Sequence, residues 1–188
     1  MAETLEFSSA EEKIHQILDE AWFADVGFQA NGKTWVMPMA CWRVDDHLYI
    51  HGANQKWVMK ALGDGQEVCI NLTLLDGLVL AKSAFKHSMN YRSVMIRGPL
   101  VEVGDNTEKM TAFETFMAKV KEGRWDEARK PDKNELNSTT LYKISITDAI
   151  LRFRAGGPKD KPRDLDLDIW DGEVPFTVEK GKPVKFSG

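Results

Sequence analysis

The sequence has 188 residues, a hydrophobic fraction of 43% and six tryptophans, which favour one packed globular domain over a disordered chain. A formal net charge of −4 argues against a nucleic-acid-binding protein, because such proteins usually carry a basic face. No apolar run reaches the length of about 18 residues that a membrane span requires. The first residues are acidic and polar, unlike a secretion signal. We therefore expect a cytoplasmic protein that binds neither membranes nor nucleic acid.

The first third of the chain predicts one helix and three strands. Ser8 and Ser9 precede Glu11 and Glu12 in a capping-box pattern, and apolar residues then recur at helical spacing over residues 10–20. Three predicted strands follow, with the turn pairs Asn31-Gly32 and Asp45-Asp46 between them, over residues 22–29, 34–42 and 47–51. Because proline cannot donate to a ladder, Pro38 predicts an edge, a bulge or a departure from the sheet.

No metal site is predicted from the histidines of this region. His47 and His51 are four residues apart on a strand, which separates them by roughly 13 Å, too far for one ion. His15 lies beside the apolar stripe of the first helix and is interpreted as a packing or surface histidine. Cys41 and Cys69 both lie in apolar strand-like runs, which favours two buried thiols over a disulfide.

The middle of the chain predicts a short helix and further strands. Asn54 is a plausible N-cap, and Lys56 and Lys60 follow as i, i+4 neighbours. A helix start with two cations suits a phosphate, although spacing alone favours two solvated lysines. Beyond this helix the pattern predicts strands over 67–75, 78–85 and 92–103, a hairpin turn at Asp76-Gly77, a loop over 86–91 and a bend at Gly98-Pro99.

The last third predicts a helix, a strand and an extended arm. Asp105 or Asn106 caps the helix, and Gly123 ends it. Its apolar stripe is interpreted as core rather than as a cofactor site, and consists of Met110, Phe113, Phe116, Met117 and Val120. Residues 124–131 are predicted to be irregular, residues 139–153 to form the last strand, and residues 155–188 to wrap the body or a partner subunit.

The segment 78–98 places a polar corner between two apolar runs. Its donors and its aromatic residue are Lys82, Ser83, Lys86, His87, Ser88, Asn90, Tyr91, Arg92 and Ser93. An arginine forks onto phosphate or carbonyl oxygens, and amides and hydroxyls both donate and accept, so the corner suits a ligand. The alternative is a surface hairpin that binds its own backbone, and spacing leaves both open.

The sequence HSMNYRSV, following LVLAKSAF, resembles the signature of the pyridoxamine 5′-phosphate oxidase-related, FMN-binding split-barrel family. The GRWDEARKP loop and the RAGGPKD and DIWDGEVPF parts of the arm are similar to the same family in the same order. The resemblance implies a mainly β fold with flanking helices, an antiparallel FMN-binding split β-barrel that forms a single domain over residues 1–188. It also implies a homodimer with FMN in clefts at the subunit interface.

The resemblance further implies which residues bind FMN. The strand beside the flavin ring is expected to be Met37, Pro38, Met39, Ala40 and Cys41, and the phosphate end His51, Gly52, Ala53, Asn54, Lys56 and Lys60. Asn90, Tyr91, Arg92 and Ser93 are expected to close the site, and Trp170 of the arm to cover the flavin. Many relatives carry an arginine where Trp57 stands, so one of the two lysines is expected to replace it.

The function implied is that of an FMN-dependent oxidoreductase acting on a small-molecule substrate, with NAD(P)H as the hydride donor. No catalytic base is visible in the sequence. A true pyridoxamine phosphate oxidase is disfavoured because its paired arginine and proline near the C-terminus are absent from TVEKGKPVKFSG. Two alternatives stay open: a flavin carrier or sensor without turnover, and a haem-binding split barrel in which His51 or His87 ligates iron.

Overall fold

The structure is a computed structural model and describes residues 9–63, 65 and 67–186. Within these residues the chain is mainly β. Its strands pair antiparallel, and helices flank the strands. The elements in chain order are α1 (Ala10–Glu20), β1 (Phe23–Ala30), β2 (Lys33–Val44), β3 (His47–Ala53), α2 (Trp57–Leu62), β4 (Glu67–Leu80), β5 (Ser88–Pro99), β6 (Val101–Glu102), α3 (Asn106–Val120), α4 (Arg124–Glu127), α5 (Lys133–Asn137), β7 (Thr139–Ser145), β8 (Ile150–Arg154) and β9 (Gly172–Pro175).

The chain divides into two compact units, which are described separately below. Unit 1 comprises Met1–Thr73 and Ser93–Arg152, and unit 2 comprises Leu74–Arg92 and Phe153–Gly188. The expectation of a single domain over the whole chain stays a prediction.

The strands follow the order β6-β7-β3-β2-β1-β4-β5-β8, of which the first five lie entirely in unit 1. The β1–β2 hairpin turns at Asn31 and Gly32, whose φ angles of 53° and 70° are those of the predicted two-residue turn. β2 pairs with β1 as far as Ala40 and with β3 from Cys41 onwards. Pro38 therefore lies in the part of β2 that is paired with β1 alone in the described pairings, as the missing N–H predicted.

The two longest helices of unit 1 begin where the sequence predicts. Ser9 caps α1 by accepting a hydrogen bond from the amide of Glu12, whereas Ser8 lies outside the described residues. Asp105 caps α3 by accepting from the amides of Thr107 and Glu108. One core cluster of this unit packs Phe113 and Phe116 of α3 against strand residues, and its buried members are Trp42, Tyr49, Val103, Ala112 and Leu141.

In unit 2 the arm folds back on its own chain. β9 pairs with the second half of β4, from Gly77 opposite Pro175 to Leu80 opposite Gly172. Asp160 accepts hydrogen bonds from the amides of Lys82 (2.9 Å) and Ser83 (3.0 Å). The Lys82 ammonium donates to the carbonyls of Leu165 and Leu167 at 2.8 and 2.7 Å. These contacts use several of the donors that the sequence offered to a ligand.

The predicted hairpin turn at Asp76-Gly77 is wrong. β4 runs through both residues as one strand of 14 residues, and neither residue has a positive φ. A Cβ added to Gly77 would lie 2.9 Å from the carbonyl oxygen of Val174 and 3.2 Å from the Cα of Pro175. The glycine therefore permits the close approach of β9 instead of a turn.

Other boundaries also differ from the prediction. The loop expected over 86–91 is shorter, because a 3₁₀ turn covers Ala84–Lys86 and β5 already begins at Ser88. The last predicted strand is divided into β7 and β8, since Ser145 accepts from the amide of Thr147 in a local turn. The segment expected to be irregular contains α4, which follows Gly123 at φ 73°.

The two cysteines are both free thiols but differ in exposure. Cys41 is fully buried, as predicted, and burial raises the pKa of its thiol to about 11. Cys69 is exposed, which contradicts the prediction, because the alternation of β4 buries its neighbours Val68 and Ile70 on the opposite face. Across the part of the chain that is described, none of the helices is long and apolar enough to cross a bilayer.

Candidate functional site

A cavity of about 400 Å³ lies in unit 1 beside His51 of β3. Its walls come from β3, α3, α5, β7 and the segment 125–131, so it draws together residues that are up to 88 positions apart in the chain (51 to 139). The lining is mostly apolar and aromatic and consists of His51, Phe113, Phe116, Met117, Trp125, Ala128, Arg129, Pro131, Glu135, Leu136 and Thr139. A cavity of this size and lining suits a planar aromatic ligand.

His51 is held at the wall of this cavity by aromatic rings. Its ring meets Trp42 at a centroid distance of 5.5 Å and Phe113 at 5.7 Å, both edge to face. Its Nδ1 is buried and has no hydrogen-bond partner among the described residues. Burial, and secondarily the charge of Lys56, lowers the pKa of His51, so the imidazole is held neutral. A neutral imidazole with a free ring nitrogen is a competent metal ligand.

The rim of the cavity is charged and internally paired. Arg129 donates to both carboxylate oxygens of Glu135, at 2.7 and 2.9 Å. These bonds, with the backbone amide of Asp132, lower the pKa of Glu135 to about 2. The ammonium of Lys130 lies 4.3 Å from the ring centre of Trp125 and donates to the Trp125 carbonyl. The segment that carries Trp125 is thereby fixed over the cavity wall.

The residues expected beside the flavin ring lie consecutively on β2 of unit 1. Met39 and Cys41 are buried, Met37 and Ala40 are half-buried, and Pro38 is exposed. Their partners on one side belong to β1, from Val26 opposite Met37 to Phe23 opposite Ala40. Half of the backbone groups of an antiparallel strand point away from a given neighbour, so part of this strand's edge is available to a ligand.

The residues expected at the phosphate end are also in unit 1, but they differ in packing and exposure. Gly52 lies against Met59, whose Sδ is 2.7 Å from the position of an added Cβ. Ala53, Lys56 and Lys60 are exposed. The N-cap of α2 is Lys56 and not Asn54, which corrects the prediction.

Asn54 instead ties β3 to the end of α5. Its amide nitrogen donates to the Asn137 carbonyl at 2.7 Å, and its amide oxygen accepts from the Thr140 hydroxyl at 2.8 Å. Its backbone amide donates to the Ser138 carbonyl at 3.0 Å. Since these bonds use its side-chain amide and its backbone N–H, Asn54 stabilises the contact between the end of β3 and the segment after α5 in this conformation.

The polar corner is divided between the units. In unit 2, Asn90 is buried and donates to Glu173 at 2.6 Å, while its oxygen accepts from Arg154. Arg92 binds Asp76 with two nitrogens, its Nε at 3.0 and 3.1 Å and its terminal nitrogen at 2.8 Å. Asp76, interpreted from the sequence as a turn residue, is therefore the partner of the predicted flavin-binding arginine.

The remaining predicted residues are placed as follows. Tyr91, in unit 2, is half-buried. Ser93, in unit 1, donates to the Asn71 side chain at 3.1 Å and accepts from Thr73 at 3.2 Å. Trp170, in unit 2, is 64% exposed and its ring lies against Gly172, where a Cβ would come within 2.9 Å of it. Their contacts with a flavin stay predictions.

Sequence reasoning missed the cavity beside His51. The aromatic stripe of α3 was interpreted as core, and residues 124–131 as an irregular loop. Phe113, Phe116 and Met117 are in fact only half-buried, while the fully packed face of α3 carries Lys109 and Ala112. The available signal for the cavity is that the apolar stripe of α3 is wider than the face of the helix that is buried.

Comparison with known proteins now adds independent information. The family model described as pyridoxamine 5′-phosphate oxidase matches residues 10–153, which is more than half of the chain. The chain belongs to the pyridoxamine 5′-phosphate oxidase-related family. This confirms the resemblance carried by HSMNYRSV and the neighbouring strands.

Two solved structures are similar to nearly the whole chain. The flavocytochrome Anf3 from Azotobacter vinelandii is 32% identical with a TM-score of 0.86, covering 93% of this chain and 81% of its own. The FAD and heme binding protein from Mycobacterium smegmatis is 29% identical with a TM-score of 0.89, covering 95% of this chain and 87% of its own. No curated protein sequence matches the chain.

A more distant structure supports the fold alone. It is a candidate 5-nitroimidazole antibiotic resistance protein from Bacteroides thetaiotaomicron, 22% identical with a TM-score of 0.62, covering 76% of this chain and 82% of its own. With the antiparallel sheet and flanking helices described above, these neighbours establish the predicted split-barrel fold class.

Proposed function

We propose that this chain is a redox protein that binds a flavin nucleotide and also binds haem in the cavity beside His51. The observation that carries the haem part is His51, whose ring borders a cavity of about 400 Å³ and whose Nδ1 has no hydrogen-bond partner among the described residues. Two family members whose names include both cofactors, as a flavocytochrome and as a FAD and heme binding protein, support the pairing.

The residues of the cavity fit a haem. Leaving a buried ring nitrogen unpaired costs about 1–3 kcal/mol, and a bond to iron would satisfy it. The depressed pKa of His51 keeps the imidazole in the form that ligates metal. Phe113, Phe116 and Trp125 supply an apolar surface for a macrocycle, and the ion pair of Arg129 with Glu135 forms a charged rim on the same wall.

The flavin part rests on family membership and on the predicted flavin-binding residues other than His51, which we assign to the haem instead. FMN is the flavin implied by the family resemblance, whereas the Mycobacterium smegmatis relative is named for FAD. When bound, a flavin supplies exchange between two-electron hydride donors and one-electron acceptors. A protein holding both groups would thus be able to link NAD(P)H or another reduced small molecule to a one-electron acceptor.

The test is the absorbance spectrum of the purified protein with its cofactors identified by chromatography. We expect flavin bands together with a Soret band, and FMN as the released flavin. His51→Ala is expected to lose or shift the Soret band, while the flavin content stays unchanged. His87→Ala is the matched control, because that histidine is exposed and its Nδ1 lies 3.1 Å from the Ser83 carbonyl.

A protein that binds no haem after reconstitution would exclude the haem part and leave the flavin part standing. A His51→Ala variant with an unchanged haem spectrum would remove His51 from the site. Oxidation of NAD(P)H in the steady state separates an oxidoreductase from the alternative of a flavin carrier or sensor. In that alternative the flavin is bound, but its reduction by the nicotinamide is slow.

A further inference from the structure

A second group of metal-ligating side chains lies in unit 1, and its residues are not among those that line the cavity beside His51. Glu11 and His15 are one turn apart on α1, so they project from the same face of the helix. Asp46 comes from the turn between β2 and β3. One carboxylate oxygen of each acid and one imidazole nitrogen all lie within 4.8 Å of one another. The three border a cavity of about 370 Å³, which also contacts Ile146 and Thr147.

The backbone that carries these ligands is fixed at both ends. Ser9 caps α1 two residues before Glu11. The Asp46 carbonyl accepts from the amide of Ile146 at 3.1 Å, which ties the turn to the end of β7. Arg43 donates to the Asp45 carbonyl at 2.9 Å and forms an ion pair with Asp19 of α1 at 2.7 Å. The helix and the turn are therefore held together independently of the three ligands.

Among the described residues, no ion pair compensates the charges of this group. Its two carboxylates and its imidazole have ligand atoms within 4.8 Å of one another, and no side-chain hydrogen bond of Glu11, His15 or Asp46 occurs within the described part of the chain. Like charges this close repel one another, and a bound cation would reverse the sign of the interaction.

The donor set selects the class of ion. Ligand atoms bound to one metal at about 2.1 Å are separated from each other by about 3–4 Å. Small rotations of Glu11 and Asp46, which are exposed, and of His15, which is half-buried, bring 4.8 Å into that range. One imidazole with two carboxylates suits a borderline divalent ion such as Zn²⁺, since Ca²⁺ and Mg²⁺ prefer oxygen ligands alone.

We propose that Glu11, His15 and Asp46 form a divalent transition-metal site that clamps the start of α1 to the β2–β3 turn. Three protein ligands leave the remaining coordination positions to water, so the ion is exchangeable and its removal by chelators is reversible. Because binding links two elements of the folded state, the ion stabilises the fold by mass action.

The test is titration of the full chain with ZnCl₂ after treatment with EDTA and its removal, followed by calorimetry. We expect one ion per chain with a dissociation constant in the micromolar range, and a higher thermal midpoint when Zn²⁺ is present. Glu11→Gln, His15→Ala and Asp46→Asn are each expected to weaken binding by about 10-fold or more. Glu12→Gln and His47→Ala are the matched controls, one position away along the chain, and should bind Zn²⁺ as the wild type does.

The exposed thiol of Cys69 is a competing ligand, so the titration is repeated with Cys69→Ser. Binding that is lost in Cys69→Ser but persists in the triple variant of Glu11, His15 and Asp46 would overturn the proposal. Equal affinity in the wild type and the triple variant would also overturn it. The triple variant should keep its flavin and haem spectra, so this result and the one for His51 are independent.

Discussion

His51 shows how much one side chain depends on its surroundings. On β3 it is only one of two histidines four positions apart, which the spacing of an extended strand separates by roughly 13 Å. Its environment comes from Trp42 of β2 and Phe113 of α3, which bury the ring without giving its Nδ1 a partner. The same burial lowers the pKa of His51 and so keeps the imidazole in the neutral form that binds a metal.

The lowered pKa predicts a dependence of stability on pH in the cofactor-free protein. His51 is neutral in the folded state, so its contribution is fully present above the unfolded pKa of about 6.5. It is lost as the pH falls from there towards the lower folded pKa, because only the unfolded chain gains the proton. Between pH 7.5 and 5, His51→Gln should lose less unfolding free energy than the wild type. Urea unfolding at several pH values measures this, and parallel curves for the two proteins would contradict it.

Asn90 and Arg92 show the opposite case, in which strong donors are bound by their own chain. Arg92 forms its fork with Asp76, and Asn90 is buried between Glu173 and Arg154. The sequence leaves a ligand site and a self-binding hairpin as alternatives, and while these contacts are intramolecular, flavin binding by the same residues stays a prediction. Any flavin contact made by Arg92 would have to compete with an ion pair of 2.8 Å.

At the scale of elements, β4 and β9 define the form of unit 2. β4 is long because Asp76-Gly77, a strong turn signal in isolation, is extended where β9 pairs with it. Gly77 is opposite Pro175, and its missing side chain lets the two backbones approach. Glycine thus has a packing role at a position where its conformational freedom is not used.

Gly77→Ala should therefore displace β9. The added Cβ would lie 2.9 Å from the Val174 carbonyl oxygen, and overpacking of this kind costs about 1–3 kcal/mol. Gly104→Ala is the matched control, since nothing lies within 4 Å of an added Cβ there. Unfolding free energy and hydrogen exchange of residues 172–175 measure the effect. Equal stability of the two variants, with β9 still protected, would show that Gly77 is not required.

At the scale of the whole molecule, apolar residues are left on the surface of unit 1. Val36 on β2 is 62% exposed and Phe23 on β1 is 65% exposed. Trp57 of α2 is 48% exposed and meets Trp35 edge to face at 5.0 Å. Surfaces of this kind usually mark association with another protein, which agrees with the expected homodimer.

We expect light scattering after gel filtration to give twice the chain mass of 21.3 kDa. Val36→Asp should shift the mass towards the monomer, because a desolvated carboxylate opposes association. Val101→Asp is the matched control, since Val101 is also on a strand and 52% exposed. A wild-type protein that elutes as a monomer at all concentrations would exclude the dimer. A decrease in mass of equal size in both variants would show that the dimer interface is not specific to the surface around Val36.

Local chemistry was sufficient for several elements. Ser9 and Asp105 begin their helices because their side chains accept amides within the same turn, and Asn31-Gly32 turns the first hairpin because both residues adopt a positive φ. The alternating burial of β1 follows from its own sequence. These features depend on residues that are close in the chain, and the family signature HSMNYRSV is likewise a local string.

Tertiary structure alone decided the rest. Asp76-Gly77 is extended because β9, almost 100 residues later, pairs with it (76 to 175). The cavity beside His51 exists because α3 and the segment around Trp125 pack near β3, and Asp46 meets Glu11 and His15 only through the packing of α1 on the β2–β3 turn. Propensity acts over one turn or one strand, whereas a cavity and a set of ligands require contacts between distant segments, which the periodicity of any one segment does not encode.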